Sequence, residues 1–163
     1  MKKAVLLISI LLFISAFAFA GGQAETVTDD WEYIQDKGEL IVGMTIFPPM
    51  NYYDDAGELI GFETEFTKAV CEKLGVTPEF VEINWDTKEI ELASQKIDAI
   101  WNGMTVTPER AEKVLFSTPY IRNMQVTVVK KSMLPNYTAK ENLSGKNIAA
   151  EVGSAGEDAA RTQ

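Results

Sequence analysis

Three stretches hold residue types whose spacing could grip a small anion. The first is Trp101-Asn-Gly-Met-Thr-Val-Thr-Pro-Glu-Arg110. Gly103 can bring the backbone close to a bound group. Thr105 offers a hydroxyl, and Arg110 a planar guanidinium that suits a carboxylate. Thr107-Pro108 opens a helix, with Thr as the cap and Pro at the first helical position. Arg110 therefore lies in a first turn, where a cation works against the helix dipole by roughly 0.3–1 kcal/mol. Either the helix N-terminus and the guanidinium together form an anion site, or Arg110 pairs with Glu109 or Glu112. Spacing leaves both open. The second stretch is Gly153-Ser-Ala-Gly156, whose successive N–H groups could form an anion-binding nest or simply begin a capped helix. The third is a pair of rings, Phe47 and Trp85, which could flank an apolar or planar side chain or pack in a core.

Covalent chemistry is largely excluded. The chain has no histidine and a single cysteine, Cys71. A Ser-His-Asp triad, a Cys-His pair, a His-based zinc site and an intramolecular disulfide are all impossible within it. Cys71 falls near the flank of its helix and reads as structural. Glu63, Glu65, Glu89 and Glu91 are expected on solvated helix faces, and no metal loop is visible.

The elements that must position these groups alternate. Glu39–Gly43 reads as a buried strand, stopped by Phe47-Pro-Pro49, and Asp54–Gly57 as a turn. Gly61–Leu74 reads as an amphipathic helix with Phe62, Phe66, Val70 and Leu74 on its buried face and Gly75 as its stop. Phe80–Ile83 is a second strand. Asp86 and Glu89 suggest a capping box for a helix running to about Lys96. Asp98–Asn102 is a third strand, and Gln125–Val129 and Asn147–Glu151 are two more. Strands alternating with helices predict an α/β fold with a largely parallel sheet. Phe47, Trp85 and Gly103 then follow successive strands on one edge, where open α/β sheets bind ligands.

The 163 residues carry a formal charge of −9, with no basic cluster to neutralise phosphate. Nucleic acid and anionic membrane surfaces are therefore poor partners. Met1–Ala20 has Lys2 and Lys3 ahead of an apolar run and ends in Ala18-Phe19-Ala20, as a cleaved export signal would; the alternative is an uncleaved membrane anchor, for which the run is slightly short. No cysteine stands at that cleavage site to carry lipid. Residues 21–37 read as a flexible lead. The C-terminal segment Gly156–Gln163 resembles an unfinished helix, so the chain is expected to be a fragment.

Two longer passages carry a resemblance. Gly61-Phe-Glu-Thr-Glu-Phe-Thr-Lys-Ala-Val-Cys-Glu-Lys-Leu74 matches the signature of the family 3 extracellular solute-binding proteins, the amino-acid receptors of ABC importers. The stretch from Asp98 to Tyr120 resembles that family's most typical passage, and Leu143-Ser-Gly-Lys146 with Gly153-Ser154 resembles its entry into a second lobe. The likeness covers about Gly38 to Gly156.

The resemblance implies a periplasmic-binding-protein-like clamshell of two α/β lobes. Lobe one would span 38–121, nearly complete, and lobe two would begin at 122 and stop unfinished at 163. It further implies that Arg110 binds the ligand α-carboxylate. Asn102 and Gly103 would offer backbone groups, and Thr105 its hydroxyl and N–H. Phe47 and Trp85 would flank the ligand side chain, and Ser154 and Ala155 would reach the carboxylate from lobe two. Many relatives carry an acid just before the aromatic, where Met44, Thr45 and Ile46 stand here. The implied protein is a periplasmic monomer that delivers an amino acid, polar or neutral, to permease subunits, with no cofactor, metal or catalytic residue. The alternatives are a cyclohexadienyl dehydratase on the same fold and the sensor domain of a receptor kinase.

Overall fold

The computed structural model describes residues 29–162. The export signal over 1–20 and residues 21–28 of the lead lie outside the described residues. The end of the expected lead is not irregular: Asp30–Lys37 forms helix α1. Asp29 accepts the Trp31 N–H at 3.1 Å, acids occupy the first turn, and Lys37 occupies the last. These are complements to the helix dipole that the composition of the segment had hidden. The sheet and the candidate site lie within the compact unit Ile34–Gln163.

Strand β1 (Glu39–Met44) leads to a hairpin of β2 (Tyr52–Tyr53) and β3 (Leu59–Ile60) around the expected turn. There the Asp54 carboxylate accepts the N–H groups of Ala56 and Glu58, each at 2.9 Å. Helix α2 (Phe62–Leu74), strand β4 (Thr77–Glu82), helix α3 (Lys88–Ala93) and strand β5 (Ala99–Ile100) follow. The three strands β4-β1-β5 form one parallel sheet with β1 at its centre. Val42 faces Phe80 on one side and Ala99 on the other. Val42, Met44 and Ile97 are almost fully buried, and Leu40, Val76 and Ile83 complete the apolar core around them. A polar clamp fixes β5 beside β1: the Asp98 carboxylate takes the Ile41 N–H at 2.7 Å and the Lys37 ammonium at 2.6 Å.

Helix α2 ends as predicted, with Gly75 in the left-handed conformation. Its buried face, however, is not the apolar stripe. Glu63, Thr64, Thr67 and Cys71 are inside, while Phe62 and Leu74 are exposed. The helix is seated by its first turn. The carbonyls of Pro49 and Met50 accept the Phe62 and Glu63 N–H groups at 3.0 Å each. Buried Asn51 accepts the Thr64 hydroxyl at 2.9 Å. Satisfying those polar groups rotates the polar edge inward. Phe66 instead joins an aromatic cluster at the helix flank, edge-on to Trp101 and Tyr120 at 5.4 and 5.2 Å between ring centroids.

Two further expectations are corrected. Helix α3 begins at Lys88 and is preceded by a 3₁₀ turn, Trp85–Thr87. Asn84 caps that turn, accepting the Asp86 N–H at 3.0 Å, and the helix itself starts after Thr87 with no side-chain cap, so the expected Asp86 capping box does not form. Gln125–Val129 and Asn147–Glu151 form no strands. A strand needs a neighbour to accept its ladder, and among the described residues neither segment pairs with a strand. The later elements are helix α4 (Pro108–Ala111), two 3₁₀ turns (Lys131–Asn136 and Lys140–Leu143) and helix α5 (Ala155–Arg161). Among the described residues no helix is long and apolar enough to cross a membrane.

Candidate ligand-binding site

The carboxyl ends of β1, β4 and β5 share one edge of the parallel sheet, and each is followed by a loop holding a predicted site residue. After β1, Phe47 closes a tight turn, donating its N–H to the Asn51 carbonyl at 2.7 Å. Its ring is about half exposed and lies beside Gly103, where an added β-carbon would fall 3.6 Å from it. After β5, Asn102 is buried and locked to Thr45. Its Oδ1 accepts the Thr45 hydroxyl at 2.7 Å, and its Nδ2 donates to the Thr45 carbonyl at 2.8 Å. The side chain of Asn102 thus holds two loops together, which leaves its backbone as the part that could meet a ligand. Gly103 has φ 59, a conformation that costs glycine little. Its N–H is already taken by the Glu63 Oε1 at 2.9 Å, so only its carbonyl is open to a ligand.

Glu63 was expected on a solvated face and is instead fully buried. Besides Gly103, it accepts from Asn51 Nδ2 at 3.4 Å and from the Tyr120 hydroxyl. Burial pushes the Tyr120 phenol well above its ordinary pKa, and the hydrogen bond to Glu63 and that group's charge push it further. The signal in the sequence was slight: an acid in the first turn of α2, which the helix dipole favours. Glu65 shares that position, and nothing in spacing says which of the two turns inward.

Arg110 is 6% exposed. Its backbone N–H meets the Thr107 hydroxyl at 3.2 Å, the predicted cap. Its guanidinium does not pair with Glu109 or Glu112. Glu109 pairs with Lys113 at 2.9 Å, and that ammonium holds the Glu109 carboxyl below its usual range. Arg110 Nη1 donates to the Thr105 carbonyl and Nη2 to the Gly153 carbonyl, both at 2.9 Å. The first bond fixes one arm of the guanidinium, and the second carries the other arm to a segment 43 residues on. The Thr105 hydroxyl accepts from Asn123 Nδ2 at 3.1 Å.

Ser154 caps α5, its hydroxyl accepting the Glu157 N–H at 3.1 Å while Glu157 Oε2 takes the Gly153 N–H at 2.8 Å. Ser154 also gives its own N–H to the Glu151 carbonyl at 3.2 Å. Ala155 is the first residue of that helix. Trp85 is buried, and Lys88 Nζ stands 4.9 Å over its ring. Lys88 was not singled out in the sequence. It is 2% exposed and donates to the carbonyls of Trp85 and Gly153 at 3.0 and 3.2 Å. The fold therefore brings Thr105, Arg110, Lys88, Trp85 and Gly153 into one connected group, with Phe47 and Gly103 in a second. Phe47 and Trp85 make no ring contact with each other. In the first group two buried cations, Lys88 and Arg110, meet at the Gly153 carbonyl.

Comparison with known proteins gives a consistent result. The model of the bacterial extracellular solute-binding proteins, family 3, matches residues 40–151. The L-cystine-binding protein TcyJ of Escherichia coli (strain K12) is 33% identical over 121 residues, covering 74% of this chain and 46% of that protein. The ABC transporter arginine-binding protein 1 of Escherichia coli (strain K12) is 31% identical over 153 residues, covering 94% and 55%. An ABC uptake transporter substrate binding protein from Streptococcus pneumoniae, solved with bound histidine, superposes with a TM-score of 0.78 at 38% identity, covering 84% of this chain and 55% of that one. The chain spans about half the length of the curated relatives it matches.

Proposed function

This chain belongs to the bacterial extracellular solute-binding proteins, family 3, and on that premise we propose that it binds an α-amino acid and delivers it to the permease of an ABC importer. The observation that carries this reading is Arg110. It is buried and without a carboxylate partner among the described residues, and one arm of it points at the segment that follows residue 152. A buried guanidinium needs a counter-charge, and an amino acid brings one. Named relatives bind cystine, arginine and histidine, a range whose shared parts are the α-carboxylate and the α-amino group.

In this reading residues 38–121 are lobe one and 122–163 the start of lobe two. Arg110 holds the carboxylate, with Thr105, Ser154 and Ala155 around it. The Asn102 backbone and the Gly103 carbonyl face the ammonium side, and Phe47 and Trp85 border the side chain. Closure of lobe two excludes water and strengthens the ionic contacts. The protein works in the periplasm as a monomer, and its task needs no covalent step. A dehydratase on the same fold would need a general acid facing the cleft, whereas Glu63, the buried acid nearest the Gly103 loop, is turned inward and already accepts three hydrogen bonds.

The test is a titration of the chain with the twenty amino acids, followed by tryptophan emission and calorimetry. Saturable binding of one or a few is expected. Arg110→Ala is expected to weaken it by about 3–5 kcal/mol, the cost of leaving a buried charge unpaired. Unchanged affinity in that variant, or no response from the folded protein to any amino acid, would refute the reading.

A further inference from the structure

A second buried cation shares the seat of Arg110. Lys88 Nζ and Arg110 Nη2 donate to the same oxygen, the carbonyl of Gly153, at 3.2 and 2.9 Å. Lys88 is the first residue of its helix, where the dipole disfavours a cation, and Arg110 lies in a helix of only four residues. Two separate elements thus aim a buried cation at one point. A neutral carbonyl is a poor match for two positive charges. A carboxylate brings a full negative charge and two oxygens with about four acceptor sites.

Acids stand near Lys88 but not against Arg110. Lys88 is ion-paired with Glu89, whose Oε1 lies 3.4 Å from Nζ on a partly exposed side chain. Asp86 is exposed, with its carboxylate beside Gly153. Among the described residues no acid pairs with Arg110. Lys88 is further fixed by the Trp85 carbonyl at 3.0 Å and by the Trp85 ring beneath it. Its ammonium is therefore held in place before any ligand arrives.

We propose that Lys88 and Arg110 form a single two-cation carboxylate seat, which the Gly153 carbonyl fills in this structure and a ligand carboxylate takes over on binding. The proposal rests on the amino-acid-receptor reading and adds a ligand-binding residue to it. It also fixes a selectivity: the seat discriminates an acid from its amide, and Lys88 supplies part of that discrimination.

The experiment uses the full chain, the amino acid found by titration, and that amino acid's carboxamide. Dissociation constants are measured for the wild type and for Lys88→Met, Lys88→Gln and Lys88→Arg. Lys88→Met is expected to weaken the acid by about tenfold or more and the amide by less than about threefold, as for loss of a charge-assisted bond. Lys88→Arg is expected to recover most of the affinity for the acid. Lys88→Gln keeps a donor for the Trp85 and Gly153 carbonyls and reads the same loss if the methionine variant fails to fold. Equal weakening of acid and amide would make Lys88 a tie between segments and would overturn the proposal, as would unchanged affinity for both. Either result leaves the receptor reading intact, because the wild type still binds. A wild type that binds no amino acid removes the receptor reading and the seat together.

Discussion

At the scale of the residue, three donors converge on Glu63: the Gly103 N–H, the Tyr120 hydroxyl and Asn51 Nδ2. They replace the water that a fully buried carboxylate has lost. Glu63→Ala would leave those donors without their acceptor, at about 1–3 kcal/mol for each buried group. It should lower the melting temperature and weaken ligand binding together, because it frees the Gly103 loop. Tyr120→Phe should cost less, since Gly103 and Asn51 still hold the carboxylate. The same tyrosine links stability to pH. Burial raises both the Tyr120 phenol and the Cys71 thiol, so the folded chain holds these protons more tightly than the unfolded one. Their contribution is whole below the unfolded values, about 8.5 for cysteine and 10 for tyrosine, and is lost as pH rises through the raised folded values. Urea denaturation at a series of alkaline pH values should show stability falling, and Tyr120→Phe should flatten the part of the fall above about pH 10. Arg110 and Gly103 were legible in the sequence because their residue types are unusual where they stand. Glu63 and Lys88 were not. A charged residue on a helix reads as solvated, and only the tertiary seat of α2 and the approach of residue 153 turn these two inward.

At the scale of the element, the seat of α2 decides which face is buried, and Gly61 decides the seat. Gly61 has φ 126, and a β-carbon there would fall 2.2 Å from the Met50 carbonyl oxygen and 2.7 Å from its carbon. Both are backbone atoms, and they belong to the turn that caps the helix. Gly61→Ala must therefore either unseat the first turn of α2 or displace the Pro49–Met50 turn. A loss of about 3 kcal/mol or more is expected from strain and lost caps, seen as a lower urea midpoint. A variant as stable as the wild type would show that the helix does not depend on this close approach. The stretches of β1, α2 and α5 were readable because strong local signals agree there: an apolar run, a glycine stop, a serine cap. The hairpin β2–β3 was read only as its turn, since two-residue strands carry no period. The buried face of α2 was misread because four apolar residues at four-residue spacing outweighed a polar edge whose partners, Asn51 and the Met50 carbonyl, are distant in pattern though near in space.

At the scale of the molecule, order should follow the sheet. The parallel ladder Glu39–Met44 with Thr77–Glu82 is continuous over six residue pairs, and its central strand is buried on both sides. Gln125–Val129 has the composition of a strand, yet Val126 and Val128 are 70% and 89% exposed. Its counterpart Asn147–Glu151 is likewise exposed and outside any sheet. Strand-forming composition is a preference for a half-buried pleated surface and acts only when a neighbour supplies one. That is why these two segments were predicted as strands and are not. Amide hydrogen exchange on the 163-residue chain should resolve the difference. Amides of Ile41–Met44 and Phe80–Val81 are expected to exchange slowly, through global opening, and those of 125–129 and 147–151 within the dead time or nearly so. Between these extremes, Gly153 and Glu157 are expected to show intermediate protection, because the Glu157 carboxylate takes the Gly153 N–H and the Ser154 hydroxyl takes the Glu157 N–H. Slow exchange over 125–129 would mean that a partner strand forms in solution. Fast exchange at Gly153 would mean that the Glu157 carboxylate does not hold this amide in solution.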